Sequence, residues 1–237
     1  DVERSRGLGD VYKRQLSEDT IAILKNFATI NSNLVFKPGQ KLKTIAESKT
    51  IMAQADIIED FPQEVGLYDL NEFLSVLSMI PEPDIQFLEN NLHIVNNLQQ
   101  VDYFYSNPEI LTTPGKDIQM PDAEVGISLS EEELKRIHQA SSVLGHSDLS
   151  IVRESNDKVF AKVYDAKDAT ANVYTLSLVL ENQIPNRFNF DFNIANLKLL
   201  PGDYFVSLSS AKISNWTNAN YPVEYFIALE NTTEFHA

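Results

Sequence analysis

One pattern that begins a helix occurs twice in this chain, and the repetition constrains the fold more than any other feature. Ser17 is followed by two acidic residues and then by apolar residues at helical spacing, and the same order returns after Ser130. Serine caps a helix by accepting a hydrogen bond from a free backbone amide, and acidic residues suit the positive end of the helix dipole. Each pattern therefore predicts a helix that starts at its serine.

A second pair of similar segments follows, one in each half and in the same order. Tyr68-Asp69-Leu70-Asn71 resembles Phe190-Asp191-Phe192-Asn193; these segments lie 122 positions apart, and the two serines 113. Two correlated repeats in the same order indicate a duplicated domain. We predict a first domain over residues 16–106, a connector over 107–121 and a second domain over 122–237.

The remaining sequence predicts short strands joined by turns. Polar and apolar residues alternate over residues 172–180, which is typical of a half-buried strand, and residues 149–153 are predicted to pair with 158–164. A fourth helix is predicted over residues 193–200, ended by Pro201. The predicted fold class is therefore α+β, with two similar domains that each pack two helices on antiparallel sheet.

The outer faces of the predicted helices lack the dense mixture of charges that a surface helix normally presents to water. The first helix has an apolar side of Ile21, Leu24, Phe27 and Ala28, and an opposite side of Ala22, Lys25, Asn26 and Thr29. The third carries Lys135, His138, Gln139 and Ser142 opposite Leu134, Ile137, Ser141 and Leu144. The second, over residues 69–80, contains neither lysine nor arginine.

Composition excludes several classes of protein. A hydrophobic content of 43% excludes wholesale disorder. No apolar run approaches the roughly 20 residues that cross a bilayer, so no membrane partner is predicted. Without cysteine there are neither disulfides nor thiolate metal sites. The net charge of −15 argues at first against nucleic acid, although an acidic exterior can surround a less acidic channel.

Residues 1–15 differ from the rest of the chain. They contain 4 of the 19 cations, show no periodicity and lack the apolar segment of a secretory signal. We predict a non-native leader from a cloning vector or a misread gene start. The alternative is a basic arm that reaches DNA.

Catalytic and metal-binding signals are weak throughout. The histidines are scattered along the sequence. Residues 145–148 contain histidine, serine and aspartate, the residue types of a catalytic triad, but triad partners normally come from separated elements. We therefore predict that these residues form a turn at the end of a helix. Asp56, Glu59 and Asp60 are interpreted as exposed residues of an alternating strand and not as a metal site. On these residues alone an enzyme stays possible, but nothing supports a named reaction, and we predict no catalytic or metal-binding residues.

Several segments resemble the DNA polymerase sliding clamps of T-even-type bacteriophages. They are residues 16–20, 24–32, 68–71, 195–198, 201–204, 219–221 and 228–230. The resemblance extends from residue 16 to the C-terminus and is weakest over about residues 83–170. It implies a ring of three identical subunits with two similar domains each, in which helices surround a central hole and sheets form the outer wall.

The resemblance also implies a function and partners. It implies a sliding clamp that encircles double-stranded DNA non-specifically and tethers the replicative DNA polymerase during viral DNA replication. Further implied partners are the clamp-loader ATPase, which opens and closes the ring, and a sigma-like factor and coactivator of late transcription. It implies that the chain is not an enzyme and holds no cofactor. It also implies a location in the cytoplasm of the infected bacterial host.

Four cations are predicted to face DNA phosphates: Lys25, Lys135, Arg136 and Lys198. Lys25 and Lys198 lie in segments that match the family, whereas the other two rest on helical-wheel placement. Sparse cations suit a ring that slides, because each tight phosphate contact would act as a brake.

Ile110 and Leu111 in the connector, with Tyr221 and Val223 near the last strand, are predicted to bind partner peptides. The alternative for these apolar residues is packing within the protein. Two other functions stay open on sequence alone: a phage structural or assembly protein built from duplicated β-rich domains, and an acidic hydrolase that uses carboxylates.

Overall fold

The structure, a computed structural model, describes residues 15–115, 118–154, 158–181 and 186–236. The described chain divides into two compact units. The first comprises residues 15–44 and 56–113, and the second comprises residues 45–55 and 114–236. Apart from Gln15, the predicted leader lies outside the described residues.

The first unit packs two helices against short antiparallel sheets. Its elements are α1 (Glu18–Ile30), β1 (Leu34–Phe36), β2 (Gly39–Ile45), β3 (Ile51–Phe61), β4 (Val65–Leu67), α2 (Leu70–Met79), β5 (Asp84–Phe87), β6 (Asn91–Val95), β7 (Gln100–Phe104) and a 3₁₀ turn (Pro108–Ile110). Strands β1 and β4 pair with each other, β2 lies beside β3, and β5, β6 and β7 form a meander.

Aromatic rings fill the core of the first unit. The rings of Phe36 and Phe61 stack with their centroids 4.3 Å apart, and Phe73 of α2 meets Phe36 edge-on at 6.2 Å. Helix spacing and strand alternation therefore direct side chains from β1, β3 and α2 into one interior.

The second unit is a long antiparallel sheet with one α-helix. Its elements are β8 (Val125–Leu129), α3 (Glu131–Leu144), β9 (Asp148–Arg153), β10 (Val159–Tyr164), β11 (Tyr174–Leu180), β12 (Phe188–Asn193), a 3₁₀ turn (Ile194–Asn196), β13 (Tyr204–Ser209), β14 (Ile213–Asn218), β15 (Val223–Ala228) and β16 (Glu234–Phe235). The strand order is β16-β12-β9-β10-β11-β8-β13-β14-β15, after which residues 51–55 of β3 pair with β15.

The core of the second unit is built around Trp216, Tyr204 and Tyr225, all fully buried. Their polar atoms are satisfied: Trp216 Nε1 donates to Ser214 Oγ at 2.9 Å, and Tyr204 OH donates to the carbonyl of Leu200 at 2.6 Å. Burial raises the pKa of Tyr204 to about 12, so its hydroxyl stays protonated at neutral pH.

The structure confirms the predicted α+β class and the first three helices. Ser17, Asp69 and Ser130 each cap a helix, and Ser130 forms a full capping box with Glu133. The predicted pairing of residues 149–153 with 158–164 is also confirmed, as β9 with β10.

The fourth helix was predicted wrongly. Residues 193–200 form a single 3₁₀ turn capped by Asn193, and the backbone leaves helical geometry at Leu197, with φ −81° and ψ 59°. Pro201 disfavours α-helical geometry at the residue before it, so too few residues are left to repay the cost of starting a helix. The described part of the second unit therefore has one α-helix where two were predicted.

Candidate DNA-facing and partner-facing surfaces

The first helix exposes Lys25 and Thr29 as predicted, but its buried face is rotated from the predicted one. Asn26, predicted to point outward, is buried, whereas Ile21 is only half-buried. The cause is Thr20, whose hydroxyl donates to a buried carboxylate at 2.6 Å and so turns a polar position inward.

That carboxylate belongs to Glu59 of β3, which sequence reasoning had interpreted as an exposed strand residue. Its side chain is 8% exposed, and it also accepts a hydrogen bond from the backbone amide of Ser17 at 2.5 Å. The neighbouring Asp56 and Asp60 are exposed, as predicted. Glu59 therefore fixes the start and the rotation of α1, a role that strand alternation alone does not reveal.

The outer face of α2 is polar without being cationic, as predicted. Asn71, Glu72, Ser75 and Ser78 are exposed. The hydroxyl of Ser75 donates to the carbonyl of Asn71 at 2.7 Å, and that of Ser78 donates to the carbonyl of Ser75 at 2.8 Å. Because these hydroxyls already donate to backbone carbonyls of the same helix, they are less available to donate to a ligand on the outer face of α2.

The two cations predicted on α3 are exposed, but each is paired on its own helix. Lys135 contacts Glu131, and Arg136 Nη2 lies 2.6 Å from Glu132 Oε1, both one helical turn apart. Lys198 is exposed too, although it lies in the irregular segment after the 3₁₀ turn and not on a helix. The structure thus exposes all four predicted DNA-facing cations, and it pairs both cations of α3 with glutamates of the same helix.

Each unit has a groove beside its first helix, and corresponding positions line the two grooves. In the first unit Ile21 and Lys25 line a groove with the end of α2, around Leu77 and Ser78. In the second unit Leu134 and His138 line a groove with residues 199–202. Ile21 and Leu134 are four residues past their capping serines, and Lys25 and His138 are eight.

The four predicted partner-binding residues have different surroundings. Ile110 is 69% exposed, Tyr221 is half-buried, and Leu111 and Val223 are buried. Leu111 packs against Gly66, and Val223 pairs with Ala55 in the sheet. Of the four, only Ile110 and Tyr221 therefore have side-chain surface that solvent can reach to a substantial extent.

Two strand edges with apolar residues were missed by sequence reasoning. One is the outer edge of β7, where Phe104 is 70% exposed; within the described residues β7 pairs only with β6. The other is β11, which pairs with β10 over residues 174–178 and with β8 only at its last two residues, and which carries Val179, 69% exposed. Beside it, Val143 of α3 and Val173 line a further groove. Exposed apolar residues at outward strand positions were the signal that could have revealed these edges.

No metal or triad site forms in the parts of the chain that the structure describes. No group of three or more histidine, aspartate or glutamate side chains could hold a metal ion there. The turn at residues 145–148 ends α3, with Gly145 in the left-handed region at φ 72°. The predicted helix-end turn is thus confirmed. No described helix is long and apolar enough to cross a membrane.

Comparison with known proteins gives the family. Residues 17–102 match the DNA polymerase processivity factor family, and residues 126–231 match the C-terminal domain of the gp45 sliding clamp family. The sliding clamp of Escherichia phage RB69 is 34% identical over 222 residues, which cover 91% of this chain and 96% of that protein. The chain belongs to the sliding-clamp family of T4-like phages. The sliding clamp of Enterobacteria phage T4 is 33% identical over 230 residues, covering 93% of this chain and 100% of the relative.

Solved structures share the clamp fold at low identity. Proliferating cell nuclear antigen from Thermococcus kodakaraensis superposes with a TM-score of 0.69 at 13% identity, over 92% of this chain and 98% of that one. The chain is a sliding clamp and DNA polymerase processivity factor, and the prediction that it is not an enzyme is confirmed by that membership. The family assignment favours the clamp over the structural-protein and hydrolase alternatives.

Proposed function

We propose that three copies of this chain close into a ring that encircles duplex DNA and tethers the replicative DNA polymerase. The observation that carries the proposal is a pair of free strand edges that match a pairing already present in the chain. Heterologous contacts between identical subunits generate a ring when the rotation closes. The number three follows from the resemblance to the phage clamps.

The pairing already present joins β15 to the first half of β3. Five residue pairs, from Val223 with Ala55 to Ile227 with Ile51, form an antiparallel ladder. In the first repeat β3 is the third strand after the capped helix. In the second repeat β15 is the last long strand, followed only by the two-residue strand β16.

In the second repeat the counterpart of β3 is β11. In the first repeat the counterpart of β15 is β7. Strand β11 is the third after α3, and β7 is the last strand before the connector. Pairing β7 of one copy with the free side of β11 of the next would repeat the β15–β3 ladder between subunits. Phe104, Val143 and Val179 would be buried by that contact, which supplies a hydrophobic contribution of about 25 cal/mol per Å² of apolar surface.

The helices would line the hole of this ring. Lys25, Lys135, Arg136 and Lys198 would then be the cations nearest to phosphate. The outer face of α2 adds no cation, since it carries asparagine, serine and the acidic Glu72. Few cations release few counterions, so attachment to DNA would be mechanical more than adhesive. The acidic remainder of the surface would keep DNA from binding outside the ring.

Partners would dock on the outer face. Ile110 and Leu111 of the first unit, and Tyr221 and Val223 of the second, are proposed to bind partner peptides such as one from the polymerase. A clamp-loader ATPase would open the ring, and a sigma-like factor with its coactivator would use the same face for late transcription. These interactions would take place in the cytoplasm of the infected bacterium.

Mass in solution tests the ring directly. A closed trimer has three times the 26.8 kDa chain mass, or about 80 kDa. Phe104→Asp changes the β7 side of the proposed contact, and Val143→Asp changes the side formed by β11 and α3. Each variant alone should give folded monomers. Light scattering measures the mass, and circular dichroism checks the folding. Ile58→Asp, which changes an exposed apolar residue on β3, should leave the trimer intact. A wild-type monomer would contradict the proposal.

Activity tests the encirclement. The chain should stimulate its polymerase on primed circular DNA only with loader and ATP. A linear template with free ends should lose the stimulation because rings slide off. Equal stimulation on both templates would show that the clamp is held by adhesion.

A further inference from the structure

We propose that the two repeats meet DNA differently: the first repeat presents a cation, Lys25, where the second presents an uncharged imidazole, His138. Phosphate contact by these paired positions is then carried by the first repeat alone. The inference rests on the proposed function, because it assumes that the outer faces of α1 and α3 line the hole.

The two positions correspond in structure as well as in count. Both caps form, with Ser17 accepting from the amide of Thr20 at 3.2 Å and Ser130 accepting from that of Glu133 at 3.3 Å. Eight residues later, Lys25 lies in the groove of the first unit and His138 in the groove of the second. The repeat therefore places the two side chains at the same point of the same helix face.

Lys25 is available to an anion. It is exposed and forms no ion pair with any described residue. The acidic residues of its own helix, Glu18 and Asp19, lie in the first turn, about two turns away. Glu82 lines the same groove from the segment after α2. A phosphate at Lys25 would thus not have to displace a bound carboxylate.

His138 does not supply an equivalent charge. His138 lines its groove together with residues 199–202, and this packing removes part of the water around the imidazole. The desolvation lowers the pKa of His138 below its usual 6.5, so the ring is neutral at pH 7.5. The charged groups around it are Glu131 and Lys135, which pair with each other, together with Lys198 and Asp203 at the ends of the packed segment. Nothing in this arrangement restores a cation at position 138.

The neighbouring cations of α3 do not substitute fully for Lys25. Lys135 and Arg136 are each held by a glutamate one turn earlier, and a phosphate must compete with those carboxylates. Exposed pairs of this kind are weak, so they reduce the attraction to phosphate without removing it. Lys25 of α1 is therefore a stronger phosphate contact than either cation of α3.

A charge-relocation experiment tests the inference. Labelled clamps are loaded on stretched duplex DNA with blocked ends at pH 7.5, and their one-dimensional diffusion is recorded for wild type, Lys25→Gln, His138→Lys and the double variant. Lys25→Gln should diffuse about twofold faster or more, and His138→Lys correspondingly slower, because each phosphate contact retained adds friction. The double variant should return close to wild type. Asp60→Asn, a charge change on β3 away from the helices, is the control.

The outcomes separate this inference from the ring itself. Wild-type clamps that are not retained on blocked DNA would overturn the ring, and the inference with it. The inference would be overturned, without affecting the ring, if retained Lys25→Gln clamps diffused as fast as wild type. It would also be overturned if the double variant diffused as fast as Lys25→Gln alone. The mass of each variant checks that it remains a trimer.

Discussion

At the residue scale, a single carboxylate holds the start of α1. The oxygens of Glu59 accept hydrogen bonds from the Ser17 amide and the Thr20 hydroxyl. Burial alone would raise the pKa of Glu59, but these hydrogen bonds outweigh it and lower the pKa below its ordinary 4.5. A group with a lowered folded pKa stabilises the fold above the unfolded pKa, and this stability is lost as the pH falls through the folded value.

We therefore expect Glu59→Gln to lower the free energy of unfolding by about 1–3 kcal/mol at pH 7. The two donors bind different carboxylate oxygens, and the NH₂ group that replaces one of these oxygens in glutamine cannot accept a hydrogen bond. The difference from wild type should shrink as the pH falls below 4.5, as measured by urea unfolding across that range. Asp60→Asn, on the same strand but exposed, should change stability by less than about 0.5 kcal/mol. A Glu59→Gln deficit that is constant from pH 7 to pH 3 would contradict this account.

Gly66 lies so close to Ser106 that the position has no room for a Cβ atom. A Cβ built there would lie 2.3 Å from the carbonyl oxygen of Ser106 and 3.0 Å from Leu111 Cδ1. The amide of Ser106 donates to the carbonyl of Gly66 at 2.9 Å, so the start of the connector is held against β4 at this point.

Gly66→Ala should push the connector off β4. We expect a loss of stability of about 1–3 kcal/mol and faster amide hydrogen exchange at residues 106–111. Gly115→Ala is the control, since a Cβ there meets nothing within 4 Å. Unchanged exchange at residues 106–111 in Gly66→Ala would show that the contact does not hold the connector.

At the element scale, the caps decide where helices begin. Ser130 Oγ accepts from the amide of Glu133, whose carboxylate accepts from the amide of Ser130 at 2.8 Å. Ser130→Ala should cost about 1 kcal/mol of stability in thermal or urea unfolding. Ser142→Ala, on the exposed face of the same helix, should cost less. An equal cost for both would mean that the capping box adds nothing to stability.

The sequence predicted those elements whose signals are local. A capping serine, an alternating strand or a proline stop each depends on a few neighbouring residues, so α1, α2, α3 and most strands could be placed. The fourth helix failed because Asn193 signals a helix start while Pro201, eight residues on, leaves it no room. The ladder of β15 with β3 joins residues about 170 positions apart, which no local pattern encodes.

The candidate site was predictable in composition but not in geometry. The exposed lysines and small polar faces could be read from helical spacing. Burial of Thr20 and Glu59 could not, because it depends on the hydrogen bond between them, and these residues are 39 positions apart. Burial of Leu111 likewise depends on the close approach that only a glycine at position 66 allows.

At the scale of the whole molecule, a net charge of −15 should make direct DNA affinity weak. Without loader, the clamp should bind a linear 30-base-pair duplex with a Kd above about 10⁻⁴ M at physiological salt. The dependence of log K on log salt should be no steeper than about −3, the slope expected when the proposed trimer contacts phosphate through Lys25 of each subunit. Fluorescence anisotropy at several salt concentrations measures both quantities.

A Kd in the low micromolar range with a steep salt slope would contradict mechanical attachment. Lys25→Gln should flatten whatever slope is observed. Asp60→Asn should leave the slope unchanged, because it lies outside the helix faces.

The mismatch between Lys25 and His138 has a consequence for how such a protein can evolve. The two predicted repeats share their capping serines, yet they differ two turns further on, at a surface position that the core does not constrain. Once two modules are joined in one gene, each can mutate alone. In a ring of six separate, identical modules, every module would carry the same residue at this position. In a ring of fused pairs, lysine and histidine can occupy the position alternately.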